Sequence, residues 1–131
     1  MKTIFHIAAA ADWEAARESG SYRMSTRGQT LEDVGFIHCS YLKQTLRVAN
    51  RIYQDTHGLR LLVIDPTRVA AEIRDESPDG GSERFPHIHG PLNVDAVVDV
   101  LPFEPAADGT FQLPVDRSTA RVPPGTETQE R

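Results

Sequence analysis

Four of the five histidines in this sequence lie inside short apolar runs, and they are the residues best equipped for chemistry. A polar ring in such a run needs a hydrogen-bond partner or a task, because an unpaired buried polar group costs free energy. His6 lies among Ile4, Phe5 and Ile7, His38 lies in GFIHCS at 35–40, and His87 and His89 lie in FPHIHGPL at 85–92. Imidazole changes charge near neutral pH, so His38 and His87 are the candidates for acid–base catalysis. His6 and His89 are candidates for holding a ligand. Ser40 joins them: it closes GFIHCS where a helix is expected to begin, and a helix start presents N–H groups to an anion. The plainer expectation for Ser40 is that it caps that helix. His57, just before Gly58, reads as a helix-end residue with a capping role.

His87 and His89 are two residues apart, so on a strand they share a face, and imidazoles so placed suit zinc, copper, iron or nickel. A usable site needs a third ligand. His38, His6, Cys39 or an acid could supply it, and the spacing places none of them, so no metal is expected. Cys39 is adjacent to His38 and faces the other side of a strand, which excludes a nucleophile pair between these neighbours. Beside Ile37 it reads as a small core residue. Lys43, Arg47 and Arg51 recur every four residues along one helix flank and could steer an anion, although the solvated side of any amphipathic helix looks the same. The glycine spacings of phosphate loops and dinucleotide folds do not occur.

The elements that must position these residues are short. Residues 3–8 read as a strand. Asp12 is expected to cap a helix running to Ser19, with Gly20 as its stop. Residues 21–34 keep no steady period and read as a loop. Residues 35–39 read as a strand and 41–54 as the best helix, with Leu42, Thr45, Leu46, Ala49, Ile52 and Tyr53 as its inner stripe. LRLLVID at 59–65 is nearly continuous in apolar residues, which predicts a central strand buried on both faces, broken at Asp65-Pro66. Residues 71–75 and 85–89 read as further strands, separated by a turn at 77–82. Residues 94–101 alternate, with Val94, Ala96, Val98 and Val100 on one face. Asp108-Gly109 predicts a hairpin turn into a last strand at 110–113. Strands outnumber helices and lie close in sequence, which predicts an α+β fold with mainly antiparallel sheet.

The chain has 131 residues, 39% of them hydrophobic and 25% charged, which suits one domain with a single body. That domain is expected over 1–113. Residues 114–131 hold two valines, no larger apolar side chain and three prolines, so they are expected to form a disordered tail. No run approaches the ~18 apolar residues of a membrane span. The N-terminus lacks the pattern of a secretory segment, and a cytoplasmic location is expected. One cysteine excludes an internal disulfide framework. The net charge of −5 disfavours general nucleic-acid binding.

The motifs IFHI (4–7), WEAA (13–16), GFIHCS (35–40), VANR (48–51), LLVIDP (61–66) and FPHIHGPLNVDAVVDV (85–100) stand in an order that resembles the bacterial domain of unknown function 952 family over about residues 3–103. The family often has tyrosine where this chain has His89, and tryptophan before the glutamate near 73–76. The resemblance implies a compact relative of the ADP-ribosyltransferase superfamily, with two small, mainly antiparallel sheets split around a cleft and helices alongside. It also implies that His6 matches a first-strand position used to hold NAD, while the usual catalytic glutamate on a late strand has no counterpart. Fold alone does not settle function.

Together these readings predict a histidine-lined cleft that binds a small anionic or nucleotide-like ligand. NAD is the cofactor that the resemblance suggests, and a transferase the activity. Whether the protein is an enzyme is open at this level. The rival readings are a non-catalytic binding or interaction domain and a metal-dependent hydrolase built on the histidines.

Overall fold

The computed structural model describes residues 2–77 and 80–114. The tail expected at 114–131 lies outside these residues from 115 onward, as does part of the turn expected at 77–82. Among the described residues ten strands and three α-helices follow one another: β1 (Ile4–Ala9), α1 (Ala10–Ser19), β2 (Ser21–Tyr22), β3 (Met24–Thr26), β4 (Gln29–Thr30), α2 (Leu31–Val34), β5 (Ile37–His38), α3 (Leu42–Ile52), β6 (Leu59–Ile64), β7 (Glu72–Glu76), β8 (Phe85–His89), β9 (Leu92–Asn93) and β10 (Val97–Phe103). The expected α+β class holds, with every strand pair antiparallel among the described residues.

Two three-stranded sheets organise the molecule, one in the order β1-β6-β10 and one in the order β5-β8-β7. The apolar run at 59–64 does become the central strand of the first sheet. Ile4 pairs with Ile64 and Ala9 with Leu59 on one side, and Phe103 pairs with Leu59 on the other. Both faces of that sheet are covered. Ile4, Ala8, Leu62 and Ile64 pack with Trp13, Tyr22, Ile37 and Ile88, while Phe5, Ile7, Leu61 and Val63 pack with Leu42, Ala49, Phe103 and Phe111. Burying each such aliphatic side chain contributes about 1.5–3 kcal/mol. Phe5 and Ser40 exchange two backbone hydrogen bonds of 2.8 Å, which ties β1 to the approach of α3.

Several local expectations are corrected. Helix α1 begins at Ala10 with Ala9 as its cap residue, so Asp12 sits in the first turn rather than at the cap. Gly20 does end it, at φ +89°, donating its N–H to the Ala16 carbonyl over 2.7 Å. The segment 21–34 is not a loop. It holds β2, β3, β4 and α2, and α2 carries a reciprocal cap between Thr30 and Asp33. That Thr-x-x-Asp signal stands in the sequence and marks a helix start. Gly35, at φ +99°, stops α2 and turns the chain into β5.

Ser40 does not cap α3. The cap residue is Tyr41, whose N–H donates to the Gln44 side chain, and the Ser40 hydroxyl bonds Thr45 over 3.0 Å instead. The inner stripe of α3 is buried at Leu42, Thr45, Ala49 and Tyr53. Leu46 is partly buried, and Ile52 is 36% exposed because its end of the helix overhangs a cleft. In β10 a register shift between Val97 and Asp99 breaks the expected alternation and leaves Val98 49% exposed. Residues 110–113 form no strand, although the turn before them exists and Phe111 is buried against Phe103. No helix among the described residues is long and apolar enough to cross a membrane.

Candidate functional site

The second sheet brings the histidines together through its register. His38 of β5 lies opposite His87 of β8, and His87 lies opposite Arg74 of β7. Alternation then puts His38, Phe85, His87 and His89 on one face, with Glu72, Arg74 and Glu76 of β7 beside them. Phe36 completes this face. Its ring stacks on His87 at 4.0 Å between centroids, and the His38 ring stands 5.4 Å from that of His87 and 5.2 Å from that of Phe85.

Between this face and α3 lies a cleft of about 380 Å³, lined mainly by apolar side chains, with Phe36 and Phe85 on one wall and Val48, Arg51 and Ile52 on the other. Its polar groups are His38, Arg51, Ser25 and Thr26. Of the three cations spaced along α3, Arg47 is paired with Glu83, and Arg51 is the one that reaches the cleft. A second, water-sized cavity of about 10 Å³ shares His38 and Ser25 with the cleft and is also lined by His6 and Ser40. The structure thus gathers His6, His38 and Ser40 around one small cavity and His38 alone onto the large one.

The environment of each ring differs. His6 is buried in β1. A carbonyl can only accept, so Nδ1–H of His6 donates to the His38 carbonyl over 2.7 Å, and the Tyr22 hydroxyl donates to Nε2 over 2.8 Å. Burial, followed by the nearby His38, lowers its pKa to about 4 against the raising effect of the carbonyl bond. Both nitrogens are therefore occupied and the ring is neutral at pH 7. His38 is also lowered to about 4, by burial and then by His87. Its ring has no hydrogen-bond partner among the described residues. Ser25, fully buried beside it, likewise has an unpartnered hydroxyl.

His87 is only 1% exposed. Its Nδ1 lies 2.8 Å from Oε1 of Glu76, and the same oxygen lies 2.8 Å from Nε2 of His89. These bonds hold the Glu76 carboxyl below its ordinary range, while burial outweighs Glu76 in pushing His87 down. A neutral His87 donates from Nδ1, so its Nε2 carries a lone pair. That buried nitrogen has no partner. The acid missing from the sequence reading of the His87/His89 pair is thus Glu76, which lay just past the strand expected at 71–75. Its place could not be read from spacing, because the pairing of β7 with β8 supplies it.

Ser40, proposed from sequence as an anion contact, is buried and its hydroxyl is committed to Thr45. Cys39 is buried too, and burial pushes its thiol well above the usual range, so it stays protonated. Tyr22, Ser25 and Phe85 escaped the sequence reading as site residues. Tyr22 and Ser25 sit in the segment taken for a loop, and Phe85 is an aromatic residue like any other until β8 is paired.

Residues 7–100 match the family described as Protein of unknown function (DUF952). Among solved structures, the chain is similar to the crystal structure of protein CC0527 from Caulobacter crescentus, at 30% identity and a TM-score of 0.74, over 85% of this chain and 94% of that one. The solution NMR structure of the same protein gives 30% identity and a TM-score of 0.73, over 86% and 94%. No curated protein matches the chain at a significant level. The family match spans most of the chain and both sheets that frame the histidines: this protein is a member of the DUF952 family, whose function is unknown.

Proposed function

We propose that the cleft between α3 and the β5-β8-β7 sheet binds a small anionic, ring-bearing ligand of the nucleotide kind, with His38 as the group that exchanges a proton with it. One observation carries the reading. The His38 ring, half-buried and bonded to no described residue, and the Ser25 hydroxyl, fully buried and without a partner, line the same mainly apolar cleft of about 380 Å³. Buried polar groups are ordinarily satisfied, and a mainly apolar pocket with a few convergent polar groups is the usual form of a small-molecule site. Phe36 and Phe85 offer faces to a flat ring, and Arg51 offers charge to an anion.

The likeness to ADP-ribosyltransferases belongs to the same proposal. Two small antiparallel sheets support it, and NAD is the nucleotide it suggests. Within that frame His6 is a positioning residue, since its two nitrogens hold Tyr22 and the main chain of His38. Among the described residues the cleft lining contains no carboxylate, so glutamate-dependent transfer finds no support there. His38, neutral at pH 7, is suited to accept a proton from a bound hydroxyl.

The test is calorimetric titration of the full chain with NAD, AMP and inorganic phosphate at neutral pH. AMP or NAD is expected to bind more tightly than phosphate, and Arg51→Gln and His38→Gln are each expected to weaken binding at least fivefold. No binding of either nucleotide at millimolar concentration, or binding unchanged in both variants, overturns the proposal.

A further inference from the structure

We propose that Glu76, His87 and His89 form a binding site for a divalent transition-metal ion of the zinc class. The inference goes beyond the cleft reading and does not depend on it. The donors come from two adjacent strands. His87 and His89 share one face of β8, and Glu76 is the diagonal neighbour of His87 on β7. The three donor atoms lie within 4.8 Å of one another, with Oε1 of Glu76 2.8 Å from each imidazole nitrogen.

Two imidazoles and one carboxylate are a borderline donor set that suits zinc and its first-row neighbours. Zinc bonds to N and O run about 2.0–2.2 Å, so donors around a tetrahedral ion stand about 3.3 Å apart. An ion therefore enters if the carboxylate oxygen withdraws from each nitrogen by about half an ångström and the exposed His89 ring moves toward His87, since the donor atoms now spread over 4.8 Å. The Glu76 and His89 side chains are 34% and 22% exposed, which opens the site to solvent, while His87 is 1% exposed and stacked on Phe36. The inner ligand is thus already held, and the outer two can close on the ion. Three protein donors leave one position for water or an anion.

The proton count closes without an outside partner. In the hydrogen-bonded arrangement, His87 Nδ1–H and His89 Nε2–H both donate to the carboxylate. To bind the ion each neutral ring moves its proton to its other nitrogen, and none is released. In His87 that proton arrives at Nε2, the buried nitrogen that has no partner. The His38 ring stands 5.4 Å away between centroids and would have to turn to accept that N–H. Ligating histidines commonly donate from the nitrogen that does not bind metal, and such contacts orient the ligand.

The experiment uses the full chain, purified without a histidine tag and stripped with EDTA. Zinc is titrated by calorimetry and cobalt by visible absorption. One ion per chain is expected, with the intense visible bands of a four- or five-coordinate cobalt centre. Glu76→Gln and His89→Ala are each expected to weaken zinc binding at least tenfold. His57→Ala removes another imidazole that faces a carboxylate, Glu104 at 3.1 Å, and is expected to leave binding unchanged. Circular dichroism identifies any variant that has lost its fold, and Glu76→Gln keeps the side-chain volume should His89→Ala disturb the sheet. A wild type that binds no ion, or one that binds no more tightly than both site variants, overturns the proposal, as does loss of binding in His57→Ala. Nucleotide titration is a separate measurement, so the two proposals fail independently.

Discussion

Acidification tests the buried state of His6. Burial lowers its folded pKa to about 4 from the ordinary imidazole value of 6.5. The folded pKa is the lower of the two, so the unfolded chain takes up the proton first as pH falls. Stability from this ring is complete above about pH 6.5, declines below it, and has reached its full loss below pH 4. Integrating that linkage between pH 7 and pH 5 gives a loss of about 2 kcal/mol from His6 alone. Ordinary carboxylates titrate below this window, so they contribute little to it. His38 faces His6 through its carbonyl and is lowered in the same direction, so the wild type loses at least the His6 amount. Urea unfolding at pH 7, 6 and 5 measures the loss directly. The same series on His6→Gln isolates the ring, because an amide keeps hydrogen-bonding capacity toward Tyr22 and the His38 carbonyl but does not titrate. The variant is expected to start less stable and to decline more shallowly, by about 2 kcal/mol over the window. Equal declines in the two proteins would refute the placement of His6 as a buried, neutral, doubly bonded ring.

Three other outcomes are expected. Leu62→Ala, at a fully buried position in central strand β6, should cost about 2–5 kcal/mol, whereas Leu46→Ala on the partly covered side of α3 should cost about 1–2 kcal/mol in the same denaturation assay; a reversed order would mean the stripe of α3 is misplaced. Phe111→Ala should cost about 3–5 kcal/mol, because its ring is buried and stacks on Phe103 at 4.8 Å, and a loss below about 1 kcal/mol would show that this segment does not close the core. Cys39 should resist alkylation in the native protein and react fully in denaturant, and rapid native labelling would contradict its burial.

The regular elements with a single environment were readable from the chain alone. β6 is an unbroken apolar run because both of its faces are covered, and that run needs no partner to be recognised. The long helix α3 announced itself by its period, and the stop at Gly20 by its residue type. Short elements were not readable in this way. β2, β3 and β4 have two or three residues each, too few for any alternation to register. They exist because tertiary neighbours supply their hydrogen bonds. The misplacement of Val98 in β10 has a similar origin: a bulge inserts one residue against β6, so Val97 joins Val94, Ala96 and Val100 on the core face and Val98 is left exposed.

For the site, residue type and local period determined which side chains could act and which of them share a strand face. His87 and His89 are together in any extended chain, and His38 is polar within an apolar strand in any fold. Only the tertiary structure decided the partners. Antiparallel pairing set His38 against His87 and brought Glu76 to both β8 imidazoles, joining residues that are 38, 76, 87 and 89 places along the chain. It also separated His6 from the cleft by giving both of its nitrogens to Tyr22 and the His38 carbonyl. The reason is that side-chain direction follows from the local backbone, whereas register between strands is set by the packing of both sheet faces at once, which no single segment encodes.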